Sequence, residues 1–388
     1  MKRNNARIQK MQYSDKSLSD FGQYIQGLIQ RKNLTQEESS DLFAQILQNK
    51  QPEIHQGAFL AALAAKGETV DEIAGAWHAI RSIDTQVVKI DNRASIVENS
   101  GTGMDMLKTF NISSAAAIVA SAGGATIARH ASRALTSKCG AVDILESLGI
   151  DMECSVETVV RSIETVGIGL FNGMSQKVHP NGLFRILKHI RFGSTLNIAA
   201  SLAGPCLPTH GLRGVYSEEI IPTMVRIMKS IGYQKGMVVH GLDHQKEKSM
   251  DELSVLGESI VAEFDRHSNK TYSISPEDIG IQRYQYHEIA AYGNLQDEAV
   301  RFLHVIAGQG HQACIDITCL NAGAIFYLID DCESIRKGFE KARELVYSQK
   351  ALDKLVHWVQ VQRENSHDSM KIFAEVSQRA GLKKNHFN

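Results

Sequence analysis

None of the six cysteines (139, 154, 206, 314, 319 and 332) forms a C-x-x-C pair with another. The chain therefore shows neither a disulfide framework nor a zinc-ribbon spacing. No run reaches the roughly eighteen consecutive apolar residues of a membrane-spanning helix, so no membrane partner is expected. Neither sign of charge is in excess: 42 Lys+Arg against 43 Asp+Glu leaves a formal −1. Proteins that hold nucleic acid through its phosphates normally carry a basic surplus, and no nucleic-acid partner is expected here. The opening MKRNNARIQKMQYSDK has a basic start without an apolar run behind it. No signal peptide is read there, and a cytoplasmic location is the expectation. Proline is scarce at six residues, while glycine numbers 30; that balance fits many tight loops between regular elements. Hydrophobic residues make up 43% of the 388, enough apolar material for a core and too much for wholesale disorder. The length exceeds what one compact domain usually needs.

Residues 18–82 read as a bundle of short helices. Asn33 or Thr35 can cap one, with Glu37 and Glu38 in its first turn and Leu42, Phe43, Ile46 and Leu47 at helical spacing. Gly67 can end the Ala-rich helix before it, and Thr69 with Glu72 three residues on has the form of a capping box. The texture then changes to short β-branched runs at 87–90 and 96–97. Strands are predicted near 125–128, 169–171, 214–216 and 236–240, and helices at 113–122, 142–148 and 156–163. Such alternation predicts an α/β domain with a parallel or mixed sheet. Helices return over 296–359, and residues 360–388 read as a polar tail.

Three segments carry chemistry. Ser100-Gly101-Thr102-Gly103-Met104-Asp105 is followed by Thr109, Asn111, Ser113 and Ser114 at the start of a predicted helix. Closely spaced glycines bring backbone N–H groups near a phosphate, and a helix N-terminus favours the same anion. A bare G-x-G is also the ordinary shape of a strand-to-helix turn. The second segment, Arg129-His130-Ala131-Ser132-Arg133 through Lys138, gathers cations and hydroxyls suited to a multiply charged ligand, or equally to a solvated loop. In the third, Asp251-Glu252 can reach a hard cation such as Mg²⁺ if it lies in a turn, or can sit at a helix N-terminus.

In this order the three segments resemble the anthranilate phosphoribosyltransferase family over roughly residues 18–359. LTQEESSDLFAQIL, QGAFLAALAAKGETVDEIAGA, GVYSEEI, GYQKGMVVHG, DELS and LNAGA are similar to family segments as well. The resemblance implies a small helical N-terminal domain plus a larger α/β domain with a central, mostly parallel sheet, of the nucleoside phosphorylase/phosphoribosyltransferase type. The expected boundaries are 1–85 with a returning segment near 175–190, then 86–359, then the tail. A homodimer through the helical part is implied too. So is Mg²⁺-dependent transfer from phosphoribosyl pyrophosphate (PRPP) to an aromatic amine, a step of tryptophan biosynthesis. By position, Gly101, Thr102, Gly103 and Asp105 match the family's pyrophosphate turn. Asn111, Ser113 and Ser114, with Thr109 beside them, match the segment that holds ribose phosphate and pyrophosphate, Ser113 also lying near a metal. Lys138 matches a lysine of the phosphate loop, and Asp251 and Glu252 match the metal-binding pair.

The departures fall mainly on the acceptor side. Met104 replaces the second glycine of G-T-G-G-D, and R-H-A-S-R stands for K-H-G-N-R, so Ser132 replaces an acceptor-orienting Asn beside His130. The basic segment that supplies an acceptor-binding arginine is about two residues short; Arg185, Lys188 and Arg191 are the candidates. LNIAASLAGP loses a Gly-Pro of the following acceptor run. Two other readings stand beside the enzyme: a PRPP-binding paralogue without the reaction, and a pyrimidine-nucleoside phosphorylase, whose Lys-His-Ser-rich phosphate loop this sequence does not match.

Overall fold

The computed structural model describes residues 13–91, 95–133, 139–190, 192–364 and 368–382. Helices α1 (Asp15–Ile29), α2 (Gln36–Leu47), α3 (Glu53–Lys66) and α4 (Val70–Ala79) form the expected bundle. Thr35 and Thr69 each close a capping box, with Glu38 and Glu72 respectively. Glu72 is fully buried and does more than cap. Its carboxylate accepts from the amides of Leu34 (2.9 Å) and Thr69 (2.8 Å) and pairs with Lys66 at 2.9 Å. A buried carboxylate needs this full set of partners to offset its lost hydration. Gly75 lets α4 meet α2 closely, since a Cβ there would lie 2.4 Å from the Gln36 carbonyl oxygen.

The described strands are β1 (Val97–Ser100), β2 (Ile127–Ala131), β3 (Ile168–Asn172), β4 (His210–Gly214), β5 (Lys235–Leu242), β6 (Ser249–Met250), β7 (Ser259–Phe264) and β8 (Asn269–Ile274). They make one sheet in the order β3-β2-β1-β4-β5-β7-β8, with β6 beside β5. Strands β1 to β5 are parallel, and β6, β7 and β8 join antiparallel. The strand predicted at 214–216 starts four residues earlier, at His210. The 87–90 run joins no strand; Val88 only donates its amide to the Pro205 carbonyl. The hairpin β7–β8 was not anticipated.

Each face of the sheet has its own core. Val97, Ile127 and Leu212 pack with helix α5 (Ile112–Ala122) and the C-terminal helices, while Val238 and Phe264 pack with the helical bundle. Helix α5, Ala-rich and buried almost throughout, is as the sequence predicted. The helix Leu183–Ile190 buries Leu183 and Ile186 among the bundle's Phe43, Ile46 and Phe59. Asp84, itself buried, accepts from the amides of Asn181, Gly182 and Leu183 and so fixes where this chain segment rejoins the bundle. The stretch read as a polar tail contains a further helix, Ser369–Arg379, and Phe373 on it is fully buried in the larger core. Phe373, with Met370, Val376, Ala380 and Leu382, docks the segment on that core, which the polar average concealed.

Candidate active site

Strand β1 ends at Ser100 and the chain turns through Gly101–Asp105 before entering α5. Gly103 takes the left-handed conformation (φ 68°), which glycine adopts without a Cβ penalty. Met104, in the place of a family glycine, takes no positive φ and is about half exposed, so the turn is made without it. On the far side, β6 leads into Asp251-Glu252. Leu253 is pinned by Asn321, whose side chain bonds both its amide and its carbonyl at 3.0 Å. Gly101 and Gly214 are the close approaches that admit this loop: a Cβ on Gly101 would lie 2.3 Å from Asp251 Oδ2, and one on Gly214 1.6 Å from the Asp251 carbonyl oxygen.

The turn, the helix start and the acidic pair therefore meet. The Gly103 amide (2.6 Å) and the Thr102 hydroxyl (3.2 Å) donate to Asp251 Oδ2. The amide (3.1 Å) and hydroxyl of Ser113 donate to Glu252 Oε1. Asp105 joins the group and pairs with Lys108 at 3.3 Å. Burial, with a neighbouring negative charge, raises the proton affinity of Asp105 and Glu252. Burial, then the charge of Asp251, pushes Asp105 up to about 7, against the pull of Lys108. Burial and Asp251 push Glu252 up to about 8, against the Ser113 hydrogen bond and Arg129. These are hard oxygen donors short of positive charge, and they suit a divalent cation. Among the described residues no three His, Cys, Asp or Glu side chains form a metal cage. Mg²⁺ does not need one, because it commonly takes one or two carboxylates and completes its shell with phosphate oxygens and water.

Asn111 and Thr109 flank the same cluster. The Asn111 amide nitrogen lies 3.6 Å from Cys139 Sγ, and Thr109 bridges to Ala290. Ser114 accepts from Arg129 Nη1 (2.6 Å), and Arg129 Nε donates to the Asn99 carbonyl (3.0 Å). Arg129 is buried on the α5 face of β2; it was seen in the sequence as one of a loop's cations, not as the bolt between β1 and α5. Lys138 lies outside the described residues, as does Arg191.

The acceptor candidates are not gathered with this cluster. Successive residues of a strand point to opposite faces, so His130 faces away from Arg129, toward the helical bundle. Its Nε2 lies 3.1 Å from His179 Nε2, and His179 Nδ1 lies 3.0 Å from the Asp84 carbonyl. A carbonyl only accepts, so His179 carries its proton on Nδ1, receives one hydrogen bond from His130 Nε2–H, and leaves His130 Nδ1 a bare acceptor. Burial, then His179, lowers His130 to about 3, which keeps it neutral. Ser132 is exposed. Arg185, one of the acceptor candidates, is engaged elsewhere: it donates to Gln56 Oε1 (3.1 Å) and the Ile46 carbonyl (2.8 Å), binding its helix to the bundle. Arg133 likewise is held by Glu146, Asp143 and Glu153.

Residues 93–352 match the model of the glycosyl transferase family, a/b domain, and residues 22–83 match the helical bundle domain of the same family. An anthranilate phosphoribosyltransferase of Methanothermobacter marburgensis is 34% identical over 330 residues, spanning 83% of this chain and 93% of that protein. The chain belongs to the anthranilate phosphoribosyltransferase family. Among solved members of that family, the Thermus thermophilus enzyme superposes with a TM-score of 0.79 at 28% identity, covering 88% of this chain and 99% of the other. The Saccharomyces cerevisiae enzyme in complex with PRPP and Mg shares the fold, with a TM-score of 0.78 at 24% identity over 89% of this chain and 98% of its own. The family's two-part architecture, a helical bundle beside a mostly parallel α/β domain, is the architecture of this chain.

Proposed function

We propose that the chain moves the phosphoribosyl group of PRPP to the amine of anthranilate or a related aromatic amine and releases pyrophosphate. The observation that carries this reading is the convergence of the Gly101–Asp105 turn and the Ser113 helix start on Asp251 and Glu252. Two anion-binding backbone segments lie against two carboxylates, as binding a metal-complexed pyrophosphate requires.

In this reading the amine nitrogen bonds to the anomeric carbon as the carbon–pyrophosphate bond breaks, and the nitrogen then sheds a proton. The sugar passes through a loosely bonded cationic state, so the protein's work is positioning and stabilising charge on the leaving group. Gly101, Thr102 and Gly103 supply amides and a hydroxyl to the pyrophosphate, Asn111, Ser113 and Ser114 extend that cradle to the ribose phosphate, and Lys138 adds a cation. Asp251, Glu252 and the Ser113 hydroxyl are the groups to hold Mg²⁺. When bound, the ion neutralises the leaving pyrophosphate. An arylamine is unprotonated near neutral pH and needs no strong base; exposed Ser132 is the acceptor-side candidate, while His130 stays buried against His179.

A homodimer in the cytoplasm accompanies this proposal. Exposed Ile29 (62%) and Ile54 (78%) on the helical bundle support an interface there. No helix among the described residues is long and apolar enough to cross a membrane. The reading of a PRPP-binding paralogue draws its support from Arg185, whose guanidinium is taken up by the bundle. Calorimetry with PRPP and Mg²⁺, followed by pyrophosphate release with a panel of aromatic amines, tests both. Binding with release supports the enzyme, binding without release for any amine supports the paralogue, and no binding refutes the donor assignment.

A further inference from the structure

Arg213 is among the largest fully buried side chains, 1% exposed, and nothing in the sequence marked it. It lies on β4 in register with Ser100 of β1. Its Nη1 donates to the Ser100 hydroxyl and its Nη2 to the Ser201 hydroxyl, while Nε has no partner among the described residues. Among the described residues it forms no ion pair with a carboxylate. The nearest help is the field of Glu98: burial raises the proton affinity of that carboxyl, and the charge of Arg213 and the Ser100 hydroxyl pull it back. A buried guanidinium bonded only to two hydroxyls is expensive to maintain. The cavity beside it, lined by Glu98, His130, Ser201 and Tyr233, holds about 10 Å³, far too little for an aromatic ring. The cluster is closed, so Arg213 does not meet a substrate directly.

Its two hydroxyl partners belong to different parts of the machinery. Ser100 immediately precedes Gly101 of the donor turn. Ser201 lies on the helix Thr195–Leu202, within the segment whose family counterpart serves the acceptor, and that helix packs on α4 of the bundle. Its end is fastened there. Trp77 Nε1 donates to the Leu202 carbonyl (2.9 Å), Thr85 to the Ala203 carbonyl (3.2 Å) and Arg81 to the Gly204 carbonyl (2.6 Å). One rigid fork thus spans from the donor turn to the element seated on the helical domain. Lysine could not span both, because it offers a point charge in place of a planar fork.

We propose that Arg213 is a positioning residue that sets the donor turn in register with the acceptor segment. This rests on the phosphoribosyl-transfer reading. Calorimetry of the wild-type chain with PRPP and Mg²⁺ tests that reading first; no binding there overturns it, and the Arg213 assignment with it. With binding established, steady-state kinetics of Arg213→Met should show the KM for PRPP and the KM for the acceptor both rising about tenfold or more, the usual consequence of losing a charged hydrogen bond. Ser100→Ala should raise the PRPP value alone and Ser201→Ala the acceptor value alone. Arg213→Lys should recover only part of the loss. If Arg213→Met does not fold, the two serine variants decide. Wild-type KM values in folded Arg213→Met, or in both serine variants, overturn the assignment while leaving the donor reading intact. A purely structural role would lower the melting temperature without this division between substrates.

Discussion

Adding one methyl group at Gly101 should disable the donor site from within. An Ala Cβ there would lie 2.3, 2.4 and 2.6 Å from Oδ2, Cγ and Oδ1 of Asp251. Ordinary contact is more than 3.4 Å, so the carboxylate must retreat by about an ångström. It has nowhere to go: Asp251 is 7% exposed, and its carbonyl presses on Gly214, where even a Cβ would sit 1.6 Å away. Overpacking of this kind destabilises by about 1–3 kcal/mol. Moving Oδ2 also breaks its 2.6 Å bond from the Gly103 amide, and a hydrogen bond to a charged group adds about 1.5–3 kcal/mol. The sum, roughly 2.5–6 kcal/mol, corresponds to a fall in melting temperature on the order of 3–7 °C for a chain of 388 residues. Differential scanning calorimetry would measure it, with Gly193→Ala as control because nothing lies within 4 Å of a Cβ there. Gly103→Ala separates sterics from backbone strain: it meets no atom within 4 Å but must hold φ at 68°, at about 1–2 kcal/mol. Gly101→Ala should also bind PRPP with Mg²⁺ at least tenfold more weakly. A Gly101→Ala protein that melts and binds like wild type would show that Asp251 is not locked against the turn.

Replacing Asp251 and Glu252 by Ala together should lower turnover by several tenfold steps, each about 1.4 kcal/mol of barrier; unchanged turnover rejects the metal assignment. Without Mg²⁺ the protein should lose stability as pH rises from about 5 to 8. Native Asp105 and Glu252 hold their protons to about 7 and about 8, whereas the unfolded chain releases them near 4. Mg²⁺ should restore the melting temperature at pH 8, and a flat or rising pH profile of the metal-free protein contradicts the clustered carboxylates. Ser132→Asn should raise kcat/KM for anthranilate about tenfold by restoring an amide contact; no change means the serine does not limit the acceptor. Phe373→Ala should destabilise by about 3–5 kcal/mol, visible in a thermal melt, and a neutral result would mean that the C-terminal helix is not docked through it.

Legibility followed the range of the interaction. The Thr69 capping box was readable because both partners lie within three residues; Thr35 was read only as one of two cap candidates, and its box with Glu38 emerged in the structure. Helix α5 was readable because small apolar residues run without a break. The β7–β8 hairpin was missed because β8 (NKTYSI) is largely exposed and polar, so its pairing depends on β7 and not on its own pattern. Phe373 was hidden in a polar average. The turn, Ser113 and the acidic pair were named from the sequence, but their meeting depends on Gly101 and Gly214, whose importance lies in what they let approach. Arg213 was invisible for a general reason: a lone arginine reads as surface until a sheet register places it between two serines.

The carboxylates already bonded to the Gly103 and Ser113 amides give the site a built-in selectivity. A simple anion arriving alone must displace carboxyl oxygens that already occupy these donors and receives in exchange only bonds that were already made. Inorganic phosphate or sulfate is therefore a poor competitor, however abundant. A phosphate that arrives with a divalent ion gives the displaced oxygens somewhere to go. The site thus discriminates by what accompanies the anion more than by the anion's shape.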